Sequence, residues 1–142
     1  MKPRLNVVTI GVADLQKSSQ FYQDAFGWKP AQGSNDQIVF FYHGGIVLGL
    51  YPMNLLAKDA GISDERSGFS GITLAINSET REELDETYQK ALTAGAKSLI
   101  GQRDTFWGGY DCYFAEPDGH AWKIAWAPFW KFDQQGSLLM SE

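Results

Sequence analysis

The chain carries roughly the same residue pattern twice, and this repeat constrains its fold more than any other feature. A strand-like run at 9–14 leads into an amphipathic stretch at 21–27, and a second run at 72–77 leads into another stretch at 87–92. A hairpin-like segment follows each. The pattern predicts an α+β fold of two paired βαβββ modules, each of about sixty residues, that form a curved, eight-stranded mixed sheet arrangement around a central cavity.

The length of 142 residues is compatible with one domain. Within it we expect modules at 1–52 and 69–128, a connector at 53–68 and a C-terminal tail at 129–142. The tail contains Phe129, which should cover apolar surface on its own chain or on a partner. Its periodicity does not decide between the two.

Charge and composition exclude several classes of function. The net charge of −5 disfavours nucleic acid, and no apolar run approaches the roughly 18 residues that cross a bilayer. The one cysteine, Cys112, excludes an internal disulfide framework. The amino terminus enters a strand without a signal-like apolar region, so we expect a cytoplasmic location and no membrane partner.

Local signals mark where several elements begin and end. Asp14 is a candidate N-cap and Gly27 a candidate helix stop, while Thr80 followed by Glu83 forms a capping-box pattern. The pair at 44–45 is Gly-Gly, which suits a two-residue hairpin because glycine tolerates positive φ.

Three ordered stretches carry a resemblance to a known family: residues 12–15 with 21–22, residues 44–48, and residues 114–120. In this order they resemble the vicinal oxygen chelate superfamily, which includes glyoxalase, bleomycin resistance proteins and extradiol dioxygenases. The resemblance extends to about Ala127 and implies a homodimer. It defines the fold more sharply than the function, because one scaffold carries unrelated chemistries.

Metal enzymes of this superfamily carry His or Glu at four positions, which the resemblance places at Val7, Gly49, Gly71 and Lys123. Valine and glycine offer no side-chain donor, and a protonated lysine repels a divalent cation. We therefore expect no metal and no cofactor. The histidines at 43 and 120 and the carboxylates of Glu116 and Asp118 are expected at turns instead.

Strand alternation around these four positions predicts the residues that line the cavity. Trp107 lies in a Gly-flanked loop, where it either forms a lid or packs against the domain. Lys123 should pair with Asp111, meet an anionic group of a ligand, or extend to the rim. The candidate ligand-binding residues are Val7, Thr9, Phe40, Tyr42, Val47, Gly49, Gly71, Thr73, Trp107, Asp111, Tyr113 and Lys123.

An aromatic and aliphatic lining with few polar points favours metal-independent binding of a small hydrophobic or aromatic molecule. Sequestration or carriage of that molecule is the role that the bleomycin-resistance branch implies. The alternative is an enzyme: either a metal-free isomerase or lyase that uses Asp111, Tyr113 and Lys123, or a lyase or dioxygenase with relocated metal ligands. Thr9 and Tyr113 also resemble positions that contact substrate in the fosfomycin-resistance branch. An interaction module without a ligand is the third possibility.

Overall fold

The computed structural model describes residues 1–140. Ser141 and Glu142, the last two residues of the predicted tail, lie outside the described residues. The chain divides into two compact units: the first comprises Met1–Gln23 and Gly27–Ser70, and the second comprises Asp24–Phe26 and the chain from Gly71 onward. Within residues 1–140, no helix has the length and apolarity that crossing a membrane requires.

The first unit has a three-stranded sheet in the order β1-β3-β2, with β1 parallel and β2 antiparallel to β3. The predicted α+β class is confirmed, but this sheet has three strands where the sequence predicted four. The unit contains β1 (Val7–Val12), the part of α1 (Leu15–Phe26) up to Gln23, β2 (Val39–His43), β3 (Ile46–Pro52) and α2 (Met53–Ala60).

A compact turn takes the place of the fourth strand in the first unit. The Asn35 side-chain oxygen accepts hydrogen bonds from the backbone of Gln37 and Ile38, at 2.8 and 3.0 Å. The backbone of Ala31 donates to Phe40 at 2.7 Å. The segment thus contacts β2 but bonds mainly to itself, because asparagine offers the backbone a local alternative to a sheet ladder.

Helix α1 begins and ends at the predicted residues. The Asp14 carboxylate accepts a hydrogen bond from the Lys17 backbone at 3.0 Å, and Gly27 adopts φ 69° while its backbone donates to Gln23. A left-handed residue at this position favours glycine because it has no Cβ. The stripe that includes Phe21 and Tyr22 is buried.

The β2–β3 hairpin turns at Gly44 and Gly45, whose φ values are 55° and 110°. Positive φ at both central residues is the geometry that a two-residue hairpin turn requires. The resulting register pairs Phe40 with Gly49 and Tyr42 with Val47. Helix α2 follows β3 directly and forms the first part of the predicted connector at 53–68.

The second unit has the predicted βαβββ order and a four-stranded sheet in the order β4-β7-β6-β5. Strand β4 is parallel to β7, and the other neighbours are antiparallel. The elements are β4 (Thr73–Asn77), α3 (Arg81–Thr93), β5 (Lys97–Asp104), β6 (Tyr110–Ala115) and β7 (Ala121–Trp126), followed by a small hairpin of β8 (Lys131–Phe132) and β9 (Leu138–Leu139).

Helix α3 packs on the last three strands of this sheet. The predicted Thr80 N-cap forms, because the Thr80 hydroxyl accepts from the Glu83 backbone at 3.0 Å. The Glu83 carboxylate accepts from the backbone of Glu79, one residue before the cap, at 2.9 Å, so the reciprocal bond of the capping box is shifted by one residue. The helix buries Leu84 and Tyr88. The apolar residues of α3 thereby cover one face of the sheet, and the other face is not covered by this helix.

Candidate functional site

Strand alternation divides the side chains of β6 between the two faces of the second sheet. Cys112 and Phe114 are fully buried on the face that α3 covers. Asp111 and Tyr113 point to the opposite face, and the register places Tyr113 beside Lys123 of β7. The structure therefore brings together three of the four polar candidates that the sequence selected in the second unit. Thr73, at the start of β4, lies on the same face, because it pairs with Ala121, which is two residues before Lys123 in β7.

Two cations share one buried carboxylate on this face. The Asp111 side chain is 2% exposed, and its Oδ1 accepts a hydrogen bond from Arg103 Nε at 3.0 Å. Lys123 Nζ lies 3.6 Å from Asp111 Oδ2, which confirms the predicted pairing. A carboxylate this deeply buried is costly without a partner, so the two cations account for its presence.

Arg103 is the residue of this candidate site that sequence reasoning missed. It belongs to β5, which pairs with β6 and sets Arg103 opposite Asp111. Strand β5 is mostly exposed and its register shifts twice against β6, so it has no regular apolar alternation. A basic residue at the end of the segment 97–104 was the one available signal, and it does not specify a partner.

The Lys123 ammonium lies between aromatic rings. Its Nζ is 5.4 Å from the centroid of the Trp107 ring and 5.6 Å from that of the Tyr113 ring, and its side chain is 24% exposed. Cations near ring faces are attracted by the ring quadrupole. Within residues 1–140, Lys123 Nζ has one ion pair and donates no hydrogen bond.

Trp107 lies in a tight loop between β5 and β6. The Thr105 backbone donates to the Gly109 carbonyl at 2.9 Å, and the Thr105 hydroxyl accepts from the Gly109 backbone at 2.9 Å. The indole packs against Trp130 and Phe129 of the C-terminal segment, with ring centroids 5.5 and 6.5 Å apart. Trp107 therefore packs within its own unit, with its ring also near Lys123, and its role as a lid stays a prediction.

The candidate residues of the first unit share one face of its sheet. Val7 and Tyr42 both pair with Val47, and both are exposed, at 48% and 66%. Thr9 and Phe40 flank Gly49 in the same way. A Cβ at Gly49 would lie 3.2 Å from the Thr9 hydroxyl, so little space remains for a larger side chain there.

A separate polar cluster joins α3 to the sheet. The Tyr110 hydroxyl donates to Asp85 at 2.7 Å, and the Arg81 guanidinium lies 3.9 Å from the Tyr110 ring centroid while it bonds Asp104 at 2.8 Å. Burial and then the Asp85 hydrogen bond raise the pKa of Tyr110 to about 12. These groups lie on the face opposite Asp111, because Tyr110 precedes it by one residue in the strand.

Cys112, Glu116 and His43, the other residues with reactive or titratable side chains, lie in the core or at turns. Burial raises the pKa of Cys112 to about 12, so its thiol is protonated at neutral pH. Glu116 accepts from the backbones of Asp118 and His120, both at 2.8 Å, which is the predicted turn role. His43 ends β2 beside the hairpin turn, as expected, and burial lowers its pKa.

The comparisons with known proteins agree with this architecture. Residues 4–124 match the family model described as the Glyoxalase/Bleomycin resistance protein/Dioxygenase superfamily. The chain belongs to this superfamily.

Among solved structures, the chain resembles a glyoxalase-related enzyme from Fulvimarina pelagi, with a TM-score of 0.90, 32% identity, and coverage of 98% of this chain and 99% of that one. Metallothiol transferase FosB from Lysinibacillus sphaericus (strain C3-41) is 28% identical over 120 residues, which are 84% of this chain and 79% of that protein. Lactoylglutathione lyase from Agrobacterium tumefaciens shares the fold, with a TM-score of 0.69 and 19% identity over 94% of this chain and 100% of that one.

The residues at the four superfamily metal positions do not fit a divalent cation. Val7 and Gly49 lie at register positions of β1 and β3 without a donor atom. Gly71 lies two residues before β4, with φ 84°, so it is outside the strand that it was expected to open. Lys123 is an ammonium paired with Asp111. Among the described residues, no group of three His, Cys, Asp or Glu side chains is arranged to hold a metal ion.

Proposed function

We propose that the protein binds a small organic molecule with a hydrophobic or aromatic body, without a metal ion, and sequesters or carries it. The observation that carries the proposal is the open face of the second sheet. There Trp107 and Tyr113 flank Lys123 at a position where metal enzymes of the superfamily hold a ligand. Aromatic surface with a few fixed polar groups is the usual composition of a small-molecule site.

The geometry suits a flat ligand held at one polar point. An aromatic pair contributes about 0.5–1.5 kcal/mol beyond the burial of its area, so the two rings favour a planar body. The Asp111–Lys123 pair supplies fixed charge that would orient such a body. The cavity that the repeat predicts stays a prediction, and the second unit alone supplies the groups on which this proposal depends.

A second candidate function is catalysis, which the names of the relatives favour. One is a glyoxalase-related enzyme and another a metallothiol transferase. A metal-free isomerase or lyase would use Asp111, Tyr113 and Lys123 as acid and base. Arg103 and Lys123 already contact the two oxygens of the Asp111 carboxylate, which leaves it little room to reach a substrate proton, so we place binding first.

The test of metal-free binding uses protein purified without a metal-affinity tag and dialysed against EDTA. We expect elemental analysis to find far less than one metal atom per chain, and calorimetry to give the same affinity for 2-naphthamide before and after EDTA. Trp107→Ala should weaken that affinity, while Trp28→Ala, which alters a ring cluster of the first unit, serves as the control. Stoichiometric metal, or binding that EDTA abolishes, would contradict the proposal.

The same samples distinguish binding from catalysis. Mass spectrometry of the ligand fraction after prolonged incubation should return the added molecule unchanged. It should also reveal any small molecule that is purified together with the protein. Conversion of such a co-purified molecule, lost in Lys123→Met, would support the enzyme instead.

We further propose that the protein is a cytoplasmic homodimer. The superfamily resemblance favours the dimer, and Phe129 is 60% exposed in the C-terminal segment, where a second chain would cover it. Analytical ultracentrifugation should give twice the 15.8 kDa mass of the chain. A sedimenting species of one chain at micromolar concentration would contradict the dimer.

A further inference from the structure

We propose that the ligand is an aromatic monoanion, such as an aryl carboxylate or sulfonate, and that Lys123 Nζ receives its negative charge. This inference rests on the proposed function and extends it by naming the chemical class of ligand. It depends on the balance of charge on one sheet face, on the hydrogen-bonding state of one ammonium group and on the two rings beside it.

The local charge of this face is opposite in sign to that of the whole protein. The strand register of the second sheet places Lys97, Arg103 and Lys123 on the face of Asp111 and pairs them with no other acidic residue. The chain as a whole carries a net charge of −5. A surface with three cations and one carboxylate attracts an anion over the short range that salt leaves unscreened.

Of the two cations near Asp111, Lys123 is the one placed to bind the anionic group of an aromatic ligand, because its Nζ lies beside the Trp107 and Tyr113 rings. Arg103 donates a hydrogen bond to the carboxylate at 3.0 Å, whereas Lys123 Nζ lies 3.6 Å from the other oxygen. Arg103 therefore offsets most of the Asp111 charge. The Lys123 ammonium keeps three N–H donors without an acceptor among the described residues, and a ligand oxyanion would satisfy them.

The aromatic rings define the rest of the ligand. Trp107 and Tyr113 flank the ammonium within 6 Å, so a group bonded to Nζ places its attached carbon framework beside them. Trp107 is itself held by Trp130 and so is ordered before a ligand arrives. Arg103, Lys123 and Asp111 together carry one net positive charge, so a monoanion on a planar body matches this cluster better than a dianion.

The experiment compares three probes of the same shape by calorimetry: 2-naphthoate, neutral 2-naphthamide and 2-naphthylmethylammonium. We expect naphthoate to bind at least about tenfold more tightly than naphthamide, and the cation more weakly than both, because a charge-assisted hydrogen bond forms with the anion alone. Added salt should reduce the preference for naphthoate.

Variants assign the preference to one side chain. Lys123→Met should bring the naphthoate and naphthamide affinities to near equality, while Lys123→Arg should retain the preference. The matched control is Lys97→Met, because Lys97 shares the face but pairs with Ala115 at the other end of β6. It should leave the preference intact. The Asp111–Arg103 bond remains in every variant, so the carboxylate keeps a partner.

Each outcome separates this inference from the proposed function. Equal affinity for the anion and the amide in the unaltered protein would overturn the anion assignment and leave metal-free binding standing. Tighter binding of 2-naphthylmethylammonium than of 2-naphthoate would also overturn the anion assignment and leave metal-free binding standing. A preference that survives Lys123→Met, or that Lys97→Met abolishes, would overturn the assignment to Lys123. Failure of all three probes to bind at millimolar concentration would overturn both proposals.

Discussion

Gly109 supports the Trp107 loop by having no side chain, and Gly109→Ala tests that role. A Cβ at this position would overlap the Trp107 ring and lie 2.7 Å from the Trp126 carbonyl oxygen. Unstrained carbon–oxygen contacts are about 3.3 Å or longer. The indole must therefore leave its position or the start of β6 must shift.

The cost follows from what holds the indole. Its contacts with Phe129 and Trp130 are each worth about 0.5–1.5 kcal/mol, and its position near Lys123 is worth about 0.5–1 kcal/mol. Alanine also restricts the unfolded chain, which offsets about 0.4–1 kcal/mol of the loss. We expect Gly109→Ala to lower the free energy of unfolding by about 1–3 kcal/mol, the usual range for an overpacked site.

Urea unfolding followed by tryptophan fluorescence measures the effect. Gly101→Ala is the matched control, because a Cβ there meets no heavy atom within 4 Å and its φ is not positive. It should leave the free energy of unfolding unchanged or raise it by up to about 1 kcal/mol. Equal unfolding midpoints for Gly109→Ala and Gly101→Ala would refute the argument that Trp107 is held against Gly109.

Three further predictions concern single groups. Because burial raises the pKa of Cys112 to about 12, a disulfide reagent at about pH 8 should label it only as fast as the native protein unfolds. The pKa of Tyr110 is raised from 10.0 to about 12, so the stability it contributes is full below pH 10.0 and is lost as the pH rises toward 12. Tyr110→Phe should remove that loss when urea unfolding is measured across this interval. Trp130→Ala should weaken naphthoate and naphthamide alike by about two- to tenfold in calorimetry, because Trp107 loses a supporting ring.

Each of these predictions has an outcome that contradicts it. Labelling of Cys112 in folded protein faster than global unfolding would mean that the thiol is reached by local opening. An unchanged decline in stability at high pH in Tyr110→Phe would assign that decline to other tyrosines or lysines. Selective weakening of naphthoate alone in Trp130→Ala would show that the tail acts on Lys123 and not through Trp107.

Local chemistry made much of the fold predictable. The Asp14 and Thr80 caps, the Gly27 stop and the glycines of the first hairpin depend on residues within four positions of one another. Such signals act before any tertiary contact forms, so the sequence alone contains them. The first module has one strand fewer than the βαβββ pattern predicts, with a polar turn around Asn35 before β2, and the sequence pattern did not locate β5 because its alternation is irregular.

The candidate site also has one part that the sequence predicts and one part that only the tertiary structure determines. Strand alternation, anchored on the metal positions that the superfamily resemblance implies, placed Asp111, Tyr113 and Lys123 on one face, because side chains alternate along a strand with period two. Only the tertiary structure decided that Arg103 shares the Asp111 carboxylate and that Trp107 rests on Trp130. Both contacts depend on how separate segments of the chain are placed against one another. That placement is set by long-range packing and sheet register, which no short stretch of sequence encodes.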